Sequence, residues 1–515
     1  MIPKTVERSA IFSEFTDREK ENWFRLTRAK VVPHIDNIYY NVFLAGDNGE
    51  NPPEGVSRML EELRDAKREK TRAYGNQVTL WDLDLNPSNY ATYEFRLSED
   101  GNFDIFVASY LPNDDTPRIQ VQIRTRLLVL RGVDNALKDT FRTVEQILAN
   151  FGLSCIRIAE NRIDYAYHTN LIQDPMAFFE DEILKRHMKT GFRLGQKVFY
   201  ISDELDLTYF SLGVRKSNCL FFRAYDKSRE VCEKAYKGFF LDRWVQNGLI
   251  SRYDYECYME AYRLRSYDVG LLIGRLKWYL ANGKSEARKA ELRQLLETCY
   301  VKNCNTKAIR EKLKGILPEV TVICNLEFET KRKFYASLSD WLDSYNDCVK
   351  LESSLPPQFK RIEQILAFRQ TIHDYLTDDI LRFVRDAKAK AGPDNPMADW
   401  WYRVHKCKVT AFPALPDLKR SFVTQPDLLR AKKAFMSGTA YLAMLLKQST
   451  ESQDFVEDMT DVLTSLNDNT FYGFACDQNG EVHYNDPREY REIRRQKEHR
   501  NRKLFKQSED DKDGN

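Results

Sequence analysis

Apolar residues recur at about every second position through HIDNIYYNVFL, YATYEFRLS, FDIFVASYL and RIQVQIRTRLLVLRG, and Gly, Asn, Asp or Pro bounds each run. Period two between turn residues predicts strands that bury one face. The spacing becomes helical over NALKDTFRTVEQILAN, from Asn135 to Asn150, with Gly152 just past its end. A strand, CIRIAENRIDYAYHTN, follows, then a helix around PMAFFEDEILKRHM and a hairpin, KVFYISDELDLTYFSLGVRKSNCLFFRAYDK. After Glu230 the pattern is helical for about ninety residues and returns to a strand only at VTVICNLEFETKRKF. That order predicts a helical insertion, about 233–318, between two strands of one sheet. The expected fold class is therefore α+β, an antiparallel-sheet core with a helical insertion and a mainly helical C-terminal region. The expected organisation is a polar helical lead-in over 1–32, a sheet domain over 33–340, a helical domain over 341–486 with a proline-rich joint at FPALPDLKRSF, and a charge-dense, disordered tail over 487–515.

The same alternation assigns polar residues to one face of each strand. RIQVQIRTR places Arg118, Gln120, Gln122, Arg124 and Arg126 together, and NRIDYAYH places Arg162, Asp164 and His168 opposite Ile163, Tyr165 and Tyr167. In CLFFRAYDKSREV, Arg223, Tyr225 and Lys227 oppose Leu220, Phe222 and Ala224; in NLEFETK, Asn325, Glu327, Glu329 and Lys331 oppose Leu326 and Phe328. The turn before the tyrosine strand displays Arg215 and Lys216, a phosphate clamp or an ordinary solvated hairpin tip. A solvated face of an antiparallel sheet is also polar. It does not require cations on both sides of a tyrosine or carboxylates at strand centres.

Composition narrows the classes. The 42% of hydrophobic residues, 12% of all residues being aromatic, supports real cores in a 515-residue chain. No run approaches a membrane-spanning length and the start, MIPKTVERSAIFSEF, lacks a signal-peptide core, so no membrane partner and a cytoplasmic location are expected. The ten cysteines form no CxxC pair and no Cys/His cluster, which predicts reduced, mostly buried thiols. A net charge of +2 announces no nucleic-acid binder by itself, but segregated charge makes a phosphate groove whatever the total.

The chemistry of the polar face is coherent. Asp164 and Glu327 are hard oxygen donors suited to Mg²⁺ or Mn²⁺, which take one or two carboxylates and fill the rest with water and phosphate oxygens. Tyr225 is an oxygen nucleophile whose phenolate is favoured by neighbouring cations, and arginines and lysines hold a phosphate backbone. Together they fit a transesterification on DNA. A non-catalytic module that grips single-stranded DNA through cations and stacked aromatics has the same inventory.

The order RIDYAYH, TYFSLGVRKSNCLFFRAYDKSRE and NLEFETKR resembles the trans-acting replication initiation factors of rolling-circle plasmids and the related MobT-type relaxases of integrative conjugative elements. Those proteins show an R-[LI]-D strand, a Y-F-G-x-R-x-S turn, an R-x-Y-[ND]-K strand and an R-x-E-[IL]-E strand, in that order. The resemblance covers about residues 33–340. It implies a Rep/relaxase-type palm in which Tyr225 nicks one strand at an origin of replication or transfer, keeping a 5′-phosphotyrosyl link and releasing a 3′-OH. It implies Asp164 and Glu327 as metal ligands, with Glu329 a supporting acid and carboxylates in place of a His pair. The cations implied to hold DNA are Arg118, Arg124, Arg126, Arg162, Arg215, Lys216, Arg223, Lys227 and Lys331. Single-stranded and origin duplex DNA are the implied partners, with a helicase or a conjugative coupling protein beside them; chain size favours the relaxase. Three departures stand out: His168 replaces a second acid and is a hydrogen-bonding group or a third ligand, Asn325 replaces an arginine, and YFSLGVRKS is two residues longer than the usual turn. Tyr209 is the runner-up nucleophile and Tyr335 lies beyond its strand.

Overall fold

The computed structural model describes residues 29–47, 52–72, 77–88, 90–112, 116–180, 186–190, 197–202, 207–213, 215, 219–234, 237–301, 304–314, 316–344, 355–386, 395–409 and 418, and two short strands at 474–476 and 482–484. Residues 1–28 of the lead-in, Lys216, the proline-rich joint apart from Leu418 and the charged tail fall outside them, and the last two lead-in positions, 31 and 32, open a strand and not a helix.

The strands are β1 (Val31–Leu44), β2 (Thr79–Leu80), β3 (Leu83–Pro87), β4 (Phe95–Glu99), β5 (Phe103–Val107), β6 (Ile119–Arg124), β7 (Cys155–Thr169), β8 (Met188–Thr190), β9 (Lys197–Ser202), β10 (Leu207–Leu212), β11 (Leu220–Asp226) and β12 (Cys324–Lys331). All but β8 join one antiparallel sheet in the order β2-β3-β4-β5-β6-β1-β7-β12-β11-β10-β9. The fold is α+β. Strands β11 and β12 are hydrogen-bonded neighbours, so the helical block is an insertion between two strands of one sheet.

One face of the sheet is apolar and carries the main core. Ile38, Tyr40, Ile163, Tyr165, Phe222, Leu326 and Phe328 are all buried there. Helix α1 (Glu54–Arg72) turns Val56, Met59, Leu60, Leu63 and Ala66 onto that core, the i, i+3, i+4 stripe of an amphipathic helix. Helix α2 (Thr125–Arg131) directly follows β6, and α3 (Val133–Asn150) buries Phe141, Val144 and Leu148. The strand read through RIQVQIRTR therefore stops at Arg124, and Arg126 stands on a helix and off the sheet face. Beyond β12, the segment 355–409 packs into this same core, with Phe359 against Tyr40 (ring centres 5.3 Å apart) and Trp401 against Phe222 (6.3 Å). The compact unit accordingly runs to Ser421, past the boundary expected at residue 340. In the second unit, Phe422–Asn515, the described residues form a two-stranded hairpin, Phe474–Cys476 with Val482–Tyr484, where helix was expected.

The insertion begins at Lys227, earlier than the 233 read from the pattern. It comprises α4 (Lys227–Glu233), α5 (Phe239–Gln246), α6 (Arg252–Leu264), α7 (Tyr267–Asn282), α8 (Glu286–Cys299) and α9 (Thr306–Leu313). It has a core of its own, centred on Phe240, Trp244, Tyr258, Leu272 and Tyr279. Close approach of α6 and α7 depends on glycine: a Cβ on Gly274 would lie 2.7 Å from the Cys257 Cα.

Candidate active site

The polar face resolves into rows that run across the strands. One row reads Tyr209 (β10), Tyr225 (β11), Asn325 (β12) and His168 (β7); the next reads Ser211, Arg223, Glu327 and Ala166. A third reads Phe221, Glu329, Asp164 and, on β1, Asn37. Successive rows are two residues apart along a strand, about 7 Å. Tyr225, Glu327, Asp164 and Glu329 thus fall on one continuous face.

Tyr225 is 7% exposed and its hydroxyl has three polar neighbours. The Lys227 ammonium and the Asn325 amide each donate to it at 3.1 Å, and it donates to Glu230 Oε2 at 3.4 Å. The local sequence explains the arrangement. Asp226 ends the strand and accepts from the Arg229 N–H at 3.1 Å, which caps α4 and turns Lys227 back under the tyrosine ring, 5.4 Å from its centre. Burial pushes the phenol well above its usual range and Glu230 adds to this, while Lys227 and Arg223 oppose it. Burial works to raise the Glu230 carboxyl too, but Lys227 at 2.7 Å and Lys237 at 2.8 Å hold it well below the usual carboxylate range. Glu230 is therefore an orienting acceptor and a poor base.

Asn325 joins the tyrosine to the acids, since its amide also donates to Glu327 Oε2 at 3.0 Å. Glu327 pairs with Arg223 at 2.6 Å, and that guanidinium lies 5.2 Å from the centre of the Tyr225 ring. One row on, Arg162 grips Asp164 through two bonds of 2.6 Å, and Asn37 donates to the same carboxylate at 3.1 Å. Glu329, directly opposite Asp164, pairs with Arg162 at 3.0 Å and Arg215 at 2.7 Å, yet neither of its oxygens accepts a hydrogen bond of good geometry. All three carboxylates are fully buried. Burial first, then Arg162 in opposition and Glu329 and Glu327 in support, pushes the Asp164 carboxyl up to about 7.

These donors suit a hard divalent cation in type and placement, with Asp164 and Glu329 facing each other and Glu327 one step along the strand. Among the described residues no three His, Cys, Asp or Glu side chains converge as a ready-made cage, and an arginine engages each acid. His168 stands apart from the three acids. It lies four residues from Asp164, about 13 Å along the strand, and accepts a hydrogen bond from Trp244 Nε1 at 3.0 Å inside a pocket of His34, Phe240 and Trp244.

The remaining cations divide. Arg118 is buried, bonded twice to Asp47 at 2.7 Å, and is a structural pair with no free face. Arg124 shares Asp104 with Arg96, and Arg126 reaches out from its helix to the Asp100 carbonyl. Arg215 is half exposed, and Lys331 donates to its carbonyl. Tyr209 is the cross-strand partner of Tyr225. Tyr335 is fully buried and bonded to Thr330 on the apolar side of the sheet, the face opposite Tyr225 and the acids. Residues not singled out from the sequence are Glu230, Lys237, Asn37 and Asp36. The first two sit on or beside a helix whose distances strand alternation does not give, and Asn37 is displaced by a bulge at Asp36.

No family model matches the chain, and no curated protein matches it. Among solved structures it is similar to a rolling circle replication initiator protein from Geobacillus stearothermophilus, with 11% identity, coverage of 72% of this chain and 94% of that chain, and a TM-score of 0.31. No helix among the described residues is long and apolar enough to cross a membrane.

Proposed function

We propose that the chain is a DNA nickase and rejoining enzyme that acts by tyrosine transesterification at an origin of replication or transfer. The observation that carries this reading is the Tyr225 hydroxyl, held by Lys227, Asn325 and Glu230 on the same sheet face as Glu327, Asp164 and Glu329. The Tyr225 oxygen forms a bond to phosphorus, the bond from phosphorus to the 3′ oxygen breaks, and the phenolic proton ends overall on the released 3′-OH. Rejoining is the reverse. Lys227 and Asn325 stabilise negative charge on the phenol oxygen, and Arg162, Arg215 and Arg223 are placed to exchange their carboxylate partners for backbone phosphates. Asp164, Glu329 and Glu327 would hold Mg²⁺ or Mn²⁺, which supplies polarisation of the phosphodiester and stabilisation of its developing charge. The burial of Tyr225 favours a second reading, a single-stranded-DNA-binding protein of the same fold without catalysis.

One experiment separates them. Supercoiled DNA carrying the segment that flanks the gene is incubated with wild type and Tyr225→Phe, with Mn²⁺ or EDTA, and any protein–DNA adduct is mapped by peptide mass spectrometry. A metal-dependent adduct on the Tyr225 peptide, absent from the variant, is the expected result. An adduct on the Tyr209 peptide moves the nucleophile one strand over; salt-sensitive binding without nick or adduct favours the binding protein.

A further inference from the structure

A second feature of the polar face lies beyond the acids, where β4, β5 and β6 extend it. Tyr90, 43% exposed, packs edge-on to Phe106 with ring centres 5.0 Å apart, and Tyr93 stands 6.3 Å from Phe106 and 6.4 Å from Tyr90. This cluster belongs to neither large core. Its place on the polar face follows from register, since Phe106 is the cross-strand partner of Arg96 on β4 and of Gln120 on β6. Phe106 and Tyr93 are buried with Ala108 in this small cluster, and Tyr90 is the ring of the three that presents a face outward.

Charge on this flank is in surplus. Arg96 and Arg124 share the single carboxylate of Asp104, at 3.0 and 2.8 Å, and their side chains are 26% and 36% exposed. Two guanidinium groups on one buried acid leave one positive charge for a partner. Tyr39 links the flank to the acid cluster, with the Arg162 guanidinium 5.0 Å from its ring centre. Phe106 shares a row with Gln120, Asn41 and Ala159; three strand spacings across and five residues along β7 put it roughly 20 Å from Asp164.

The exposed ring of Tyr90, backed by the buried Tyr93 and Phe106, and an unneutralised cation on the same sheet face as the proposed nucleophile fit one occupant. We propose that the Tyr90–Tyr93–Phe106 cluster, with Arg96 and Arg124, is a base-stacking platform for the single-stranded DNA that leads away from the cleaved bond. This rests on the reading of the site above for its substrate, but the platform binds through stacking and does not require Tyr225 to react.

The test uses the full chain and fluorescein-labelled oligo(dT), because stacking is sequence-tolerant, with anisotropy as the readout at fixed salt. Tyr90→Ala is expected to weaken binding about 5- to 150-fold, the loss of one stacked base. Tyr90→Phe, which keeps the ring, is expected to restore most of it, and Tyr300→Ala, at a more exposed tyrosine on the insertion, to leave it unchanged. Equal affinity for wild type and Tyr90→Ala overturns the platform while leaving the nickase intact. No binding of oligo(dT) by wild type overturns it too. Tyr90-dependent binding from a protein that forms no adduct keeps the platform and removes the nickase.

Discussion

At the scale of single residues, the site is built from buried groups whose ordinary preferences are overruled by their immediate neighbours. Tyr225 has a buried hydroxyl with two donors and one acceptor, and Glu230 stays ionised in a buried position because two lysines face it. His168 is the opposite case. Burial, with His34 and Lys227 adding and Asp36 opposing, pushes its imidazole well below the usual range, so it stays neutral in the folded chain. In the unfolded chain the same ring takes up a proton near pH 6.5. The unfolded state therefore binds more protons below that pH, and the stability His168 contributes is complete above pH 6.5 and lost as pH falls, by about 1.4 kcal/mol per unit. His168→Gln keeps an acceptor for Trp244 and removes the titration. Urea midpoints at pH 7.5 and 5.5 are expected to differ less in the variant, by about 1.4 kcal/mol over the unit below 6.5. An identical pH slope in both proteins would remove His168 from the account.

At the scale of elements, the join between β11 and α4 sets the position of the proposed nucleophile, Tyr225. Within YDKSRE the chain switches from strand to helix in one residue: Asp226 caps the helix, and the Lys227 and Ser228 amides donate to the Ile323 carbonyl at 2.9 and 3.2 Å. Ser228 Oγ in turn accepts from Ile323 N–H at 2.7 Å, tying the switch to the start of β12. Asp226→Ala removes the cap at a cost of about 1 kcal/mol and frees the segment that positions Lys227, so both melting temperature and adduct yield are expected to fall. Asp226→Asn caps equally well and is expected to restore both; a variant that melts lower but reacts normally would show that the cap serves stability alone. The elements also show what alternation reveals and what it does not. Arg223, Tyr225, Asn325, Glu327, Glu329, Arg162 and Asp164 were legible on one face because a strand has an exact side-chain period of two. Arg126 was misplaced because TRLLV continues the alternation for two residues into the first turn of α2. Helix α1 was missed for a different reason: five buried apolar residues lie among charges dense enough to read as solvated chain.

At the scale of the whole molecule, the sheet gathers residues that no local pattern connects. Asp164 and Glu329 are separated by the entire insertion, yet face each other across β7 and β12. The insertion was legible as a change of period, but its role was not, because the Lys227, Lys237 and Trp244 contacts to the site come from packing between elements. The same holds for segment 355–409, whose Phe359 and Trp401 complete the core under the apolar face. On the polar face three buried acids, Asp164, Glu327 and Glu329, are balanced by Arg162, Arg223 and Arg215, the last two partly exposed. Under the proposed function, a DNA backbone would compete for those guanidinium groups. As phosphates take the arginines, the acids lose their counter-charge, and burying unpaired carboxylates is costly unless another cation arrives. Binding of DNA and of divalent metal should therefore be mutually reinforcing. Mn²⁺ at a hundredfold excess over its Kd is expected to stabilise the wild type by about 2.7 kcal/mol, seen as a higher melting temperature reversed by EDTA. The shift should grow when single-stranded DNA is present and vanish in Asp164→Asn and Glu329→Gln. Equal shifts in wild type and both variants would place any bound metal elsewhere, and a shift that shrinks with DNA would mean that phosphate and metal compete for one site instead of dividing the arginine–carboxylate pairs between them.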